Sequence, residues 1–154
     1  KQNGDIVKIV KEEIALVDVM AEQRSIKIKL AVKGKIPEIP VDIEKMRQVI
    51  LNMIDNAIFY SRPGAKVAVN LSVDGEMLEF TVKDSGIGIP KSEQVGIFGK
   101  FFRASNARKK RPDGTGIGLF LAKKVILLHD GEMIFTSEEG KGSTFGFRIP
   151  IRQL

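Results

Sequence analysis

The chain has 154 residues, 43% of them hydrophobic and 29% charged, with a formal net charge of +6 and no cysteine. That length supports one domain with a real core and is short for two, and the composition is that of a globular chain rather than a disordered one. Disulfides and thiol-based metal sites or nucleophiles are excluded, and no apolar run is long enough to cross a bilayer.

The chain opens without an initiator Met and without a charged-then-apolar leader, which reads as a piece of a longer protein from a reducing compartment. Part of the positive excess is local, at Arg103, Arg108, Lys109, Lys110 and Arg111, in a stretch that reads as a loop. An anionic ligand or a solvated face accounts for that cluster better than nucleic acid does. No helix carries a basic stripe, and aromatic residues are few.

In chain order, residues 5–10 read as a short strand and residues 12–22 as a helix with apolar Ile14, Ala15, Val17, Val19 and Met20. Ile26, Ile28 and Leu30 alternate with Lys27 and Lys29 as in a half-buried strand. Pro37 and Pro40 mark a connection. Asp42 then caps a long helix that runs to about Tyr60 and is stopped by Ser61-Arg62-Pro63-Gly64. Residues 66–73 and 77–83 form a hairpin around Asp74-Gly75.

Residues 84–116 are rich in glycine, proline and charge. They read as a long loop with one or two short helices, and a loop of that length in a compact domain is usually functional. A second apolar-faced helix begins at Thr115 or Gly116 and ends near His129. Residues 132–137 and 143–149 are strands around Gly140-Lys141-Gly142. The order implies an α/β sandwich, a mixed sheet with helices on one face.

Four constellations carry possible chemistry. Gln48, Asn52 and Asn56 are spaced by four on the long helix, beside an apolar face of Met46, Val49, Ile50, Met53, Ile54 and Ala57. Amide oxygens suit a hard cation such as magnesium, and a solvent-facing polar stripe is the plain alternative. Asp84-Ser85-Gly86-Ile87-Gly88-Ile89-Pro90 follows a strand. Its glycines let a ring lie against the backbone while Asp84 accepts from an exocyclic amine, or the segment is an ordinary turn.

Gly114-Thr115-Gly116-Ile117-Gly118-Leu119 runs into a helix. Its stacked backbone N–H groups suit phosphate, although no Gly-Lys-Ser/Thr closes a Walker motif and no strand precedes it. In residues 97–103 the phenylalanines can anchor the loop, and Arg103 can meet a terminal phosphate bidentately.

In this order the segments resemble the catalytic ATP-binding domain of sensor histidine kinases. That domain belongs to the superfamily that also holds gyrase, a heat-shock chaperone and mismatch-repair ATPases. Residues 48–57 are similar to its asparagine box, 84–90 to the first glycine box, 97–103 to the phenylalanine box, 114–119 to the second glycine box and 141–145 to its last conserved turn. The resemblance covers residues 5–150 and implies ATP under a mobile lid at about 90–115.

It implies further that Asn52 and Asn56 hold Mg²⁺ and phosphates, that Asp84 selects adenine, that Gly86, Gly88, Gly116 and Gly118 shape the pocket, and that Arg103 approaches the γ-phosphate. Tyr60, Ile89, Lys100, Gly114, Thr115, Ile117, Leu119 and Thr144 are placed along the nucleotide by the same match. Hydrolysing members of the superfamily carry a glutamate base where Asn52 stands. An amide cannot deprotonate water, so slow hydrolysis is implied.

One departure is Phe59, where the family usually has a lysine or another cation to meet phosphate. Lys66, Lys100, Arg103 or another lid cation is left to compensate. The sole histidine, His129, reads as a helix-end packing or capping group. The resemblance implies that the phosphoacceptor histidine sits on an upstream dimerisation domain of a cytoplasmic, homodimeric parent, and that the phosphoryl group passes on to a response regulator. The isolated domain is then a monomer. A nucleotide-gated switch without phosphotransfer and an anti-sigma-factor-type serine kinase are the alternative readings.

Overall fold

The computed structural model describes residues 1–99, 102–106 and 118–152. Strand β1 (Gln2–Gly4) leads into helix α1 (Ile6–Gln23), followed by β2 (Lys27–Lys33), β3 (Ile39–Val41) and helix α2 (Ile43–Tyr60). The hairpin β4 (Lys66–Asp74) and β5 (Met77–Lys83) comes next, then a 3₁₀ turn at Lys91–Gly96, helix α3 (Gly118–Leu128), β6 (Glu132–Glu138) and β7 (Gly142–Pro150).

The strands at 66–74 and 77–83 alternate buried with more exposed residues, and they form the middle of a five-stranded sheet of order β2-β4-β5-β7-β6. Only β2–β4 is parallel in that sheet; the other three pairings are antiparallel. The face formed by Val67, Val69, Leu71, Leu78, Phe80, Val82, Phe147 and Ile149 is buried under the helices, with Phe80 and Phe147 in ring contact at 5.2 Å. This is the expected mixed α/β sandwich.

Two local expectations are corrected. Residues 5–10 are not a strand. Asp5 accepts from the Lys8 amide as an N-cap, and Ile6, Ile9, Val10, Glu13 and Val17 then fall on one buried helical face. The strand in that region is Gln2–Gly4, and it pairs with β3 in a separate two-stranded sheet. The hairpin turn lies one residue later than expected, at Gly75-Glu76, because Asp74 pairs with Met77. The second apolar helix is described from Gly118, and 115–117 lie outside the described residues.

Polar groups fix how the helices sit. Glu13 is 1% exposed and accepts from Arg47 Nη1 at 3.1 Å, which ties α1 to the start of α2. Asp42 caps α2 by accepting from the Lys45 amide. At the other end Ser61 Oγ donates to the Ala57 carbonyl at 2.6 Å and closes the last turn.

His129 joins α3 to α2. The Asp42 amide donates to its Nε2 at 2.9 Å, so the ring proton sits on Nδ1 and is donated to the Val125 carbonyl at 2.8 Å. Burial, and then the nearby Lys1 and Lys45 charges, lower its pKa below the ordinary value of 6.5, partly offset by the Val125 bond.

The linkage follows from that direction. Folding favours the neutral ring, so this contribution is complete above the unfolded-state value and is lost as pH falls below about 6.5. Because His129 is the sole histidine, His129→Gln should flatten the stability profile between pH 8 and pH 5.5. Urea titrations at the two pH values check this, and an equal decline in both proteins would refute it.

Candidate functional site

The site is built where α2, the start of α3 and the ends of β5 and β7 converge. On α2, Asn52 and Asn56 are half-buried and one turn apart, while Gln48 is exposed. A β-carbon on Gly118 would lie 3.3 Å from Asn52 Nδ2 and 3.4 Å from its Cγ. The first residue of α3 therefore sits against the amide of Asn52, and its lack of a side chain keeps that approach open. Two elements far apart in sequence, the amide stripe and the glycine-rich helix start, meet at one point.

Asp84 follows β5 and is 8% exposed. The register Lys83↔Thr144 brings β5 alongside the start of β7, so Asp84 N donates to the Ser143 carbonyl at 2.9 Å. Its Oδ1 accepts from Gly86 N at 2.9 Å and from Ser143 N at 3.1 Å. The carboxylate is thus fixed in direction by two backbone donors. Thr144 is the next residue along that strand, half-buried and paired with Lys83.

The glycines of this loop are required by contact. A β-carbon on Gly86 would come within 2.2 Å of the Tyr60 carbonyl, which seats the loop on the end of α2. Gly88 has φ +65°, and a β-carbon there would come within 2.0 Å of the Glu138 carbonyl. The loop is therefore clamped between α2 and the β6–β7 turn.

Beyond it, residues 89–99 and 102–106 contribute to a small apolar lobe. Ile89, Ile97 and Ala104 form its centre, with Phe98, Phe102, Leu119, Phe135 and Phe145 packed around them. Phe98 and Phe102 anchor this segment, Phe98 against Phe135 of the sheet at 6.1 Å, and Phe101 lies outside the described residues. Ile89 N donates to Ser137 Oγ, Gln94 Nε2 donates to both the Ile89 and Ser137 carbonyls, and Glu93 accepts from Ser105 N and Oγ.

Ile89 and Leu119 meet in this lobe, and Arg103 lies half-buried between Phe102 and Ala104. Lys100, Gly114, Thr115, Gly116, Ile117 and the basic run 108–111 lie outside the described residues. Phe59 meets Tyr60 edge-on at 5.2 Å. Arg24 lies over the Phe59 ring and donates to its carbonyl. No sequence signal pointed to Arg24 or to Ser137. Ser143 was visible only as part of the last turn, and the signal for it is the register of the final strand.

Residues 41–153 match the model of the histidine kinase-, DNA gyrase B-, and HSP90-like ATPase family. The chain belongs to that family.

Among curated relatives, it is 39% identical over 117 residues to the sensor histidine kinase WalK of Bacillus subtilis, covering 75% of this chain and 19% of WalK. It is 40% identical over 120 residues to the adaptive-response sensory kinase SasA of a Synechococcus species, covering 77% of this chain and 31% of SasA. The family domain thus spans between a fifth and a third of those proteins.

Among solved structures, the mycobacterial sensor histidine kinase MprB superposes with TM-score 0.85 at 27% identity, covering 99% of this chain and 100% of that one. Full-length ShkA in complex with AMPPNP superposes with TM-score 0.84 at 27% identity, covering 99% of this chain and 31% of ShkA. Among the described residues, no helix of this family member is long and apolar enough to cross a membrane.

Proposed function

We propose that this domain binds Mg·ATP and donates the γ-phosphoryl group to a histidine on a separate dimerisation domain, for relay to a response regulator. The observation that carries the reading is the meeting of Asn52 with Gly118. It sets the Asn52 amide, one turn from Asn56, against the first described residue of α3, and backbone N–H groups and the dipole at a helix start favour phosphate. The Asp84 carboxylate, fixed by the Gly86 and Ser143 amides, accepts from the purine amine. ShkA, crystallised with an ATP analogue, and WalK, a sensor histidine kinase by name, support the same reading.

The donor set fits magnesium. Asn52 and Asn56 supply neutral hard oxygens one helix turn apart, and magnesium takes few protein ligands when phosphates and water complete its shell. The ion would neutralise charge on the phosphates. The rest falls to the chain: Asn52 and Asn56 orient, Asp84 selects the base, Arg103 meets the terminal phosphate, and the lobe centred on Ile89, Ile97 and Ala104 excludes water. Catalysis of phosphoryl transfer is mostly positioning and charge neutralisation, so no general base is needed. The parent protein is a homodimer with this domain in the cytoplasm, and the domain alone is a monomer.

The test is γ-labelled ATP with the upstream helical domain joined to this chain. Acid-labile phosphohistidine should form, and Asn56→Ala should abolish it. No label in either protein, with ATP still bound, would favour a nucleotide-gated switch. Phe59 is the residue that keeps that second reading alive, because the amide stripe ends in an uncharged ring.

A further inference from the structure

Arg24 stands one helix away from the site, at the C-terminal end of α1. Its guanidinium carbon lies 4.5 Å from the Phe59 ring centroid, and Nη1 donates to the Phe59 carbonyl at 3.1 Å. Phe59 is three residues beyond Asn56 and seven beyond Asn52, so it continues the amide stripe on the outer face of α2. The advance from Asn56 to Phe59 along the helix axis is only about 4.5 Å. A planar cation is therefore fixed at the rim of that stripe, held face-on by the ring and edge-on by a carbonyl.

Among the described residues no carboxylate pairs with Arg24, whereas Arg47 and Arg148 each hold acidic partners. Arg47 and Arg148 are thus each neutralised by acids, whereas the contacts described for Arg24 are a ring and a carbonyl. The bland account is that Arg24 caps the end of α2, where carbonyls favour a cation. That account explains the single hydrogen bond. It does not explain why the guanidinium carbon sits over the one ring of the stripe with most of its donors unused by the contacts described.

We propose that Arg24 is a phosphate-specificity residue of the nucleotide site, a cation delivered from α1 and oriented by Phe59 toward the polyphosphate. The assignment rests on the nucleotide-binding reading above and goes beyond it in naming the residue that distinguishes ATP from adenosine at the α2 end. Phe59 is the positioning residue, because it acts through the guanidinium it carries.

Calorimetric titration of wild type, Arg24→Gln and Arg24→Lys with Mg·ATP, Mg·ADP and adenosine tests it. Arg24→Gln should weaken Mg·ATP roughly tenfold and Mg·ADP less, and should leave adenosine within about twofold, with the difference shrinking as salt is raised. Arg24→Lys keeps the charge and should recover part of the loss. Phe59→Leu should reproduce a fraction of the Arg24→Gln defect for Mg·ATP alone.

Unchanged Mg·ATP affinity in Arg24→Gln would overturn the proposal. So would an equal loss for ATP and adenosine accompanied by a lower melting temperature, which is the signature of a helix cap. Wild type that binds neither Mg·ATP nor adenosine would remove the nucleotide reading itself, a result distinct from both.

Discussion

Asp84→Asn should weaken ATP binding roughly a hundredfold, equivalent to about 2.7 kcal/mol, with the fold intact. The carboxylate offers about four acceptor positions, and the amides of Gly86 and Ser143 take two of them through Oδ1. An asparagine oxygen can keep both of those bonds, so the loop and the start of β7 stay in place. Its NH₂, however, presents a donor to a purine amine that is itself a donor.

The effect therefore separates recognition from scaffolding. Asp84→Ala, by contrast, leaves two buried amides without an acceptor and should also lower stability, by about 1–3 kcal/mol for each amide. Calorimetry with ATP and a melting curve for each variant check the pair. Full ATP affinity in Asp84→Asn would refute the recognition role.

Gly88→Ala should cost about 3 kcal/mol or more, lowering the melting temperature by roughly 6–12 °C. Two terms add. A left-handed conformation costs an ordinary residue about 1–2 kcal/mol, and the new methyl would overlap the Glu138 carbonyl at 2.0 Å. Gly75 is the internal control: its φ is +61° and a β-carbon there meets nothing within 4 Å. Gly75→Ala should show the conformational term alone. Equal losses in the two variants would mean that the contact with the β6–β7 turn contributes nothing.

The parts of the fold that were legible share one property: local pattern and tertiary environment agree. Val67, Val69 and Leu71 alternate with polar neighbours, and Asp42 precedes an apolar helical face, so the hairpin and α2 follow from period and cap. Residues 5–10 were misread because Ile6, Val7, Ile9 and Val10 with one intervening lysine fit a strand as well as a helix. The decision came from the N-cap and from burial against α2. The three-residue strand at 39–41 is too short to show a period, and it exists because β1 pairs with it.

At the site, the residue types were legible and their meeting was not. Gly118 against Asn52 and Gly88 against Glu138 are contacts defined by an absent β-carbon and a distant backbone, for which a linear sequence holds no local signal. Arg24 is the extreme case, since nothing in its own neighbourhood marks it as belonging near Phe59.

The enclosed imidazole of His129 has a practical consequence. Both of its nitrogens are engaged, one with Asp42 and one with Val125, and it is the only such ring in the sequence. The purified domain consequently has no exposed histidine to take a phosphoryl group and offers little to histidine-directed acylating reagents. A phosphohistidine found after incubation with nucleotide and an added chain is therefore expected on that chain, which makes this domain a self-blanked donor for reconstitution assays.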